Sequence, residues 1–586
     1  MSSNKEISKT GGSTNGLLPA FQAPEHLDVY DIRITSYDVQ LSVTTLTGLI
    51  NRQQPKVYLL SNSDAAFWLD AAFAQVPHDI SAARDEAALE ALLNGYRNRV
   101  AGLIIYDANF MDSVNVATTL AGQRDCVVVS PAQAETLQGP PHHLPVVADL
   151  RIYQWKSRVQ AYLWAERNLL KSASPDLVAG LDPKIAGALR SFLVATRAFV
   201  YWLDARNVLP DIRNGWIAER HLMKRILKAF APGTPHLGWF VDEGQGVRLT
   251  SKAALPVLAS DHFFNLEVWT SVQIGQANMT GASSARTNPE ASPAGTNLAP
   301  ARGATPFPLS EATPARDVVA GLAPARPPEA EVVPIVSPKA DVVPTVPPKA
   351  FVSFTISDGD NLQYDQHRMA QLWQDPARGS IPIGWTISPA LVRVAPALAA
   401  YYARTATPND ELVAGPSGAG YMLPSYWPAE RLPAFLQLTG ELMQEMNLRV
   451  IEALDTGSFL SMAFVNQSLQ QVYAKALAPF GVRGVLSGAG QTRSSWNNAA
   501  GIPVLQNLGL AGSVSKTVNL VRDATLRAET QAASQFLNVY ILAWSMTPSD
   551  LRQVRQQLGS EYEVVTPGRL MTMIEQTFQS PGNRLQ

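Results

Sequence analysis

The stretch Phe351–Asn361, FVSFTISDGDN, runs apolar and then stops on Ser357, Asp358, Gly359, Asp360 and Asn361. Two carboxyls and an amide just past a buried strand, with a permissive glycine to turn the backbone, are the materials of an acid/base site. If extended geometry persisted through Gly359, residues i and i+2 would point to one side. Two like charges so close would hold one pKa up, which suits an acid/base pair and would also suit a metal. In the plainer alternative Asp358 caps the next helix and Asn361 satisfies the turn. A second apolar segment leads into Gly415, Gly418, Gly420 and Tyr421, where glycines would let a loop approach a ligand closely; Tyr421 suits shaping and hydrogen bonding better than attack. A third segment, Arg449–Gly457, RVIEALDTG, ends the same way. On a regular strand Glu452 faces opposite to Asp455, so Asp455 at the strand mouth is preferred and Glu452 becomes a buried partner.

Acid/base hydrolysis draws on two carboxyl groups, one protonated to assist the leaving group and one to activate water or attack. The candidates for that work are Asp358, Asp360 and Asp455, with Asn361, Gly418, Gly420, Tyr421 and Glu452 as substrate contacts. The apolar runs His236–Val241 and Val257–Ser260 predict further strands and lead into Asp242, Glu243 and Asp261, which stand outside this set because capping or exposed-turn roles are as well supported as a cleft. SDGDN, the segment GAGYMLP at Gly418–Pro424, and the N-terminal run LDVYDIRITSYDVQLSVTTLTGLINRQQPKVYLL together resemble the GxGYxYP family of proposed glycoside hydrolases. Gly418, Gly420, Tyr421 and Pro424 match the family motif, and Leu423 stands where the motif has tyrosine. The resemblance covers nearly the whole chain except the first twenty or so residues and a long insert, and it implies a glycoside hydrolase acting on an oligo- or polysaccharide.

The elements that must position these residues alternate. Apolar runs at 351–356, 382–387, 411–414, 448–454, 482–486, 502–505, 537–543 and 562–565 predict strands, with helices after most of them, and such alternation implies a parallel sheet. About eight such units fit a (β/α) barrel, whose chemistry sits at the C-terminal ends of the strands, where Asp358, Asp360, Tyr421 and Asp455 fall. Nearer the N-terminus, Leu27–Ile34, Lys56–Leu60, Leu103–Tyr106 and Cys126–Ser130 predict strands around helices. Asp107, Asn109, Asp112 and Asn115 crowd one strand-to-helix turn, which is turn chemistry and capping. From Asp149 to Asn207 the chain is helical and rich in aromatics at core spacing, with sugar stacking as the alternative. Residues from about 274 to 348 are dominated by Pro, Ala, Thr and Ser and carry the imperfect repeat VVPIVSPKA, VVPTVPPKA, a composition that cannot offset the entropy of ordering. The expected class is therefore α/β: a disordered tail over 1–20, an N-terminal α/β domain over 21–148, a helical and connecting region over 149–273, a disordered insert over 274–348, and a TIM-like (β/α)-barrel domain over 349–580.

Composition narrows the function. A chain of 586 residues with a net charge of -2 lacks the concentrated Lys and Arg of a nucleic-acid binder. Cys126 lies within CVVVS as a small buried hydrophobe, and a single cysteine excludes an intrachain disulfide. No apolar h-region opens the chain and no window reaches the length of a membrane span, which predicts a cytoplasmic protein with no membrane partner. No cofactor and no metal are expected. The acidic strand end also resembles that of metal-dependent carbohydrate deacetylases, but the 8 histidines include no His-x-x-x-His pair to bind the ion. A non-catalytic carbohydrate-binding protein is the other alternative.

Overall fold

The computed structural model describes residues 17–206, 210–215, 217–273, 349–458, 461–463, 465–491, 494–526 and 535–579. The sequence expectations for 274–348, and for most of 1–20, lie outside these. Leu17 and Leu18, placed by the sequence in a disordered tail, are instead buried at 7% and 0% exposure in the core, because the apolar pair finds a hydrophobic surface to cover.

Three small parallel sheets come first. Strands β1 (Leu27–Asp31), β2 (Val57–Leu60) and β3 (His78–Arg84) stand in the order β2-β1-β3; β4 (Gly102–Ile105), β5 (Cys126–Val129) and β6 (Val146–Asp149) in the order β5-β4-β6. Strands β7 (Val178–Gly180), β8 (Phe199–Tyr201), β9 (His236–Gly238) and β10 (Val257–Ala259) follow in the order β10-β9-β7-β8. Parallel neighbours need crossovers, and helices such as Tyr37–Ile50 and Ser113–Arg124 supply them. Cys126 is buried on β5, as a small hydrophobe would be. Strands β9 and β10 fall where the apolar runs His236–Val241 and Val257–Ser260 predict strands, whereas β7 and β8 correct the expectation of helix from Asp149 to Asn207. These two strands, VAG and FVY, are three residues long and buried throughout, so neither alternation nor length separates them from the helices around them. Most aromatics of this region are core, Tyr162, Phe192, Phe199 and Tyr201 among them; Tyr153 stays at the surface, stacked on Trp155 at 4.8 Å.

The C-terminal part is a closed parallel barrel. Its strands are β11 (Ala350–Ile356), β12 (Ile383–Ile387), β13 (Asp410–Ala414) and β14 (Val450–Ala453), then, after the antiparallel pair β15 (Asp455–Ser458) and β16 (Ser461–Ala463), β17 (Gly484–Gln491). The short β18 (Trp496–Ala499) lies antiparallel on β19 (Ile502–Ala511), which β20 (Gln535–Ile541) and β21 (Tyr562–Val564) follow. The order β12-β13-β14-β17-β19-β20-β11 closes where Thr355 and Ile356 of β11 pair Gly384 and Trp385 of β12. Seven strands close the barrel among the described residues, where the sequence suggested about eight. The eighth apolar run forms β21, which pairs only Ala350, Phe351 and Val352 at the opposite end of β11 from the closure. Among the described residues no helix is long and apolar enough to cross a membrane.

Candidate active site

The turn after β11 is built around Gly359. Its N–H donates to Thr386 Oγ1 at 2.9 Å, and that hydroxyl donates to the Ile356 carbonyl at 2.6 Å, so the turn lies flat on β12. A Cβ on Gly359 would stand 2.0 Å from the Thr386 carbonyl carbon, which leaves room for glycine alone. Extended geometry does not persist through the turn: Asp358 has φ of 76°, a left-handed conformation that Asp tolerates better than most residues. The helix cap falls to Asn361, whose side chain accepts from the Tyr364 N–H at 3.3 Å and whose own N–H donates to the Asp358 carbonyl at 3.0 Å. Asn361, expected as a substrate contact, is thus engaged in capping, and the Asp358 carboxyl is left free of that duty. Ser357 donates its hydroxyl to Asp358 instead.

The carboxyls at this mouth have unequal electrostatics. Burial raises the pKa of Asp358, and hydrogen bonds from Ser357 and Trp544 offset part of the rise. Asp360 is 8% exposed, and burial pushes it well above the usual carboxylate range, with the charges of Asp358 and Glu243 adding to the push. Asp358 is therefore the first of the pair to ionise, and its charge helps keep the proton on Asp360. Trp544, 54% exposed, stands edge-on to Tyr364 with centroids 6.0 Å apart and offers a ring to solvent beside Asp358.

The loop carrying GAGYMLP is gripped by the third sheet. Tyr421 and Val257 of β10 exchange backbone hydrogen bonds, Tyr421 N to Val257 O at 2.8 Å and Val257 N to Tyr421 O at 3.0 Å. At Gly420 a Cβ would meet Pro256 Cβ at 2.9 Å and the Val257 carbonyl at 3.1 Å; at Gly418, with φ of 154°, it would meet Phe435 and Thr439 at 2.7 Å. Both glycines are thus packing requirements of the loop. Leu423, in the place of the motif tyrosine, is buried, and its N–H donates to Ser251 Oγ at 3.0 Å. The helix Glu243–Lys252 that carries Ser251 also sets Arg248 and Lys252 over the Tyr426 ring, at 4.8 and 5.1 Å. At its start Asp242 accepts from the Gln245 N–H at 2.9 Å, and Glu243 receives the Tyr421 hydroxyl at 3.3 Å on Oε1. Tyr421 in turn stacks near Trp239, centroids 6.4 Å apart. Glu243 is open to solvent yet ringed by protein, and burial raises its pKa, with the charges of Asp358 and Asp242 adding to the rise and Tyr421 opposing it.

Glu452 and Asp455 part company, as strand alternation requires. Glu452 is wholly buried inside the barrel, where Asn507 Nδ2 donates to its Oε1 at 3.4 Å. Asn538 continues the ladder, donating to Asn507 Oδ1 at 2.8 Å and accepting from Thr355 at 2.9 Å and from Ser353 at 2.5 Å. Burial holds Glu452 well above its ordinary pKa; Tyr540 opposes the rise, and the charges of Asp360 and Asp358 add to it. Asp455 binds the Ser425 hydroxyl at 2.7 Å, at the far end of the glycine loop, and its charge is felt by Tyr473. The sequence preferred Asp455 to Glu452 for the acidic cluster, but it is Glu452 whose carboxyl is coupled to Asp358 and Asp360.

Glu243 was singled out in the sequence only as an acid after an apolar run, and Trp239, Tyr540 and Trp544 carried no signal of their own. A cleft of about 450 Å³ elsewhere is lined by Lys156, Ser157, Gln160, Asp211 and Arg213, so an opening by itself does not mark the acidic cluster. Among the described residues no group of three or more His, Cys, Asp or Glu is arranged to hold a metal ion.

Family models match almost the full described length, and their limits follow the sheets. Residues 26–98 match the GxGYxYP_N 1st domain, 100–173 the GxGYxYP_N second domain, 175–271 the GxGYxYP third domain, and 348–575 the "GxGYxYP putative glycoside hydrolase C-terminal domain". A search of curated proteins finds no match. The crystal structure of a "putative hydrolase" from Bacteroides thetaiotaomicron VPI-5482 superposes with a TM-score of 0.71 at 18% identity, covering 96% of this chain and 96% of that one, and so shares the fold. A "putative polysaccharide deacetylase" from Mycobacterium smegmatis aligns with a TM-score of 0.29 at 12% identity, over 42% of this chain and 96% of that one. By the match of all four domain models in order along its length, the chain belongs to the GxGYxYP family.

Proposed function

We propose that this protein hydrolyses glycosidic bonds in a carbohydrate, using the carboxyls at the C-terminal end of β11. The observation that carries this reading is the Asp358–Asp360 pair, two carboxyls on one turn whose environments spread their pKa values apart. Hydrolysis breaks the bond between the anomeric carbon and the leaving oxygen; the oxygen takes a proton and the hydroxyl of a water ends on the carbon. Asp358, the more readily ionised, is the group to attack the anomeric carbon or take the proton of that water. Asp360, whose proton burial and the charge of Asp358 help to hold, limits the negative charge at the mouth. The exposed face of Trp544 beside Asp358 suits a pyranose ring, whose C–H face is apolar.

The name of the C-terminal family model supports the same reaction class. A glycan panel assayed for new reducing ends and for released acetate, with and without a chelator, tests it. Chelator-insensitive release of reducing ends is the expected result. Chelator-sensitive acetate release would indicate a deacetylase, and saturable binding without turnover would indicate a binding protein.

A further inference from the structure

Cleaving a glycosidic bond by this chemistry takes two carboxyl groups set across it, separated by about 5 to 9.5 Å depending on the stereochemical route. Asp358 and Asp360 share one tight turn, and Asp360 is buried at 8% exposure, so this pair does not supply both groups. The facing carboxyl has to come from another element. Glu452 is wholly buried inside the barrel, Asp365 is wholly buried in the helix after the turn, and Asp455 is engaged by Ser425. Glu243 is open to solvent at the mouth, and it is near enough to feel the charge of Asp358.

We propose that Glu243, delivered by the third N-terminal domain, is the catalytic proton donor to the leaving oxygen, so that the active site is completed across the boundary between that domain and the barrel. This inference rests on the glycoside hydrolase reading above. The hydroxyl of Tyr421 donates to Oε1 of Glu243 at 3.3 Å, which leaves Oε2 to carry the proton toward a substrate. Three attachments hold the donor in place: the Val257–Tyr421 backbone pair, the Leu423 N–H on Ser251, and the Tyr426 ring under Arg248 and Lys252. The motif glycines then have a reason, since Gly420 permits the loop to lie against Pro256 and Val257. The charge of Asp358 helps Glu243 keep its proton until the substrate arrives. In the reaction the proton moves from Glu243 to the glycosidic oxygen as that oxygen departs with the bonding electron pair. The attacking water returns a proton to Glu243 directly if the glycosyl group first bonds to Asp358, or gives it to Asp358 if water attacks at once.

The test is Glu243→Gln in the full chain, with folding checked by its melting temperature, assayed on alkyl glycosides and on dinitrophenyl glycosides of one sugar that the wild type cleaves. A dinitrophenolate leaves without protonation, so a lost proton donor spares that substrate. The expected result is a fall in kcat/KM on the order of 10²–10⁴-fold for the alkyl glycoside. Near-wild-type cleavage of the dinitrophenyl glycoside and loss of the basic limb of the pH profile should accompany it. Equal losses on both leaving groups, or no loss on either, would overturn the role of Glu243 while leaving the hydrolase reading intact. A wild type that cleaves no glycoside would overturn both.

Discussion

The Tyr421 hydroxyl reaches Glu243 Oε1 at 3.3 Å, and through that bond the glycine loop of the barrel touches the first turn of a helix from a different domain. Tyr421 is otherwise fixed by its backbone pair with Val257 and by its stack near Trp239, neither of which needs the hydroxyl. Tyr421→Phe should therefore fold normally, with a stability loss of about 0.5–1.5 kcal/mol for the missing hydrogen bond. On a cleaved glycoside it should lower kcat on the order of tenfold with little change in KM, because the ring surface remains while Glu243 loses its orienting partner. Steady-state kinetics and a urea titration check both numbers.

Gly359 makes a sharper demand. Its absent Cβ is replaced by the Thr386 carbonyl, only 2.0 Å from where a methyl would be. Gly359→Ala should destabilise by about 1–3 kcal/mol or more, since the clash is with backbone that cannot rotate away. It should also displace Asp358 and Asp360 and depress activity beyond the stability loss. Gly244→Ala, where nothing lies within 4 Å, is the control and should be neutral or slightly stabilising. Paired denaturation curves measure the difference.

Glu452 gives a prediction in pH. Its folded pKa is raised above the ordinary Glu value of 4.5, so as pH rises past that value the unfolded chain ionises while the native protein still holds the proton. The native state then binds more protons and stability falls with rising pH across the window from 4.5 up to the raised folded value. Glu452→Gln lacks this titration. The melting temperature of the variant relative to wild type should climb as pH is raised from 4.5 toward neutrality and beyond; a gap that is flat in pH would mean that Glu452 is not held protonated.

The sequence carried the barrel well and its neighbours less well. Runs such as FVSFTI and VIEA, each with an acid two residues beyond its end, are parallel strands of the barrel, and both the α/β class and the acidic turn could be read from them. The short strands Val178–Gly180 and Phe199–Tyr201 left no periodic signal, which is why these two strands of the third sheet were taken for helix while β9 and β10 were legible as apolar runs. The place of Glu243 was not legible for a different reason. Strand and helix periods say which way a side chain points along its own element, but only the docking of β10 on Tyr421 brings this one to the barrel mouth. The same limit applies to Asp455 and Glu452: alternation put them on opposite faces, and what lay opposite each face was decided by Ser425 and Asn507, distant in sequence.

The most direct test of carboxyl chemistry at the barrel mouth is kcat/KM of Asp358→Asn on a glycan that the wild type cleaves to new reducing ends. The side chain is partly exposed and the amide is nearly isosteric, so the fold and the binding of the glycan should survive. The account predicts a loss on the order of 10²–10⁴-fold at unchanged melting temperature and nearly unchanged glycan affinity. Turnover by folded Asp358→Asn at the wild-type rate would contradict it.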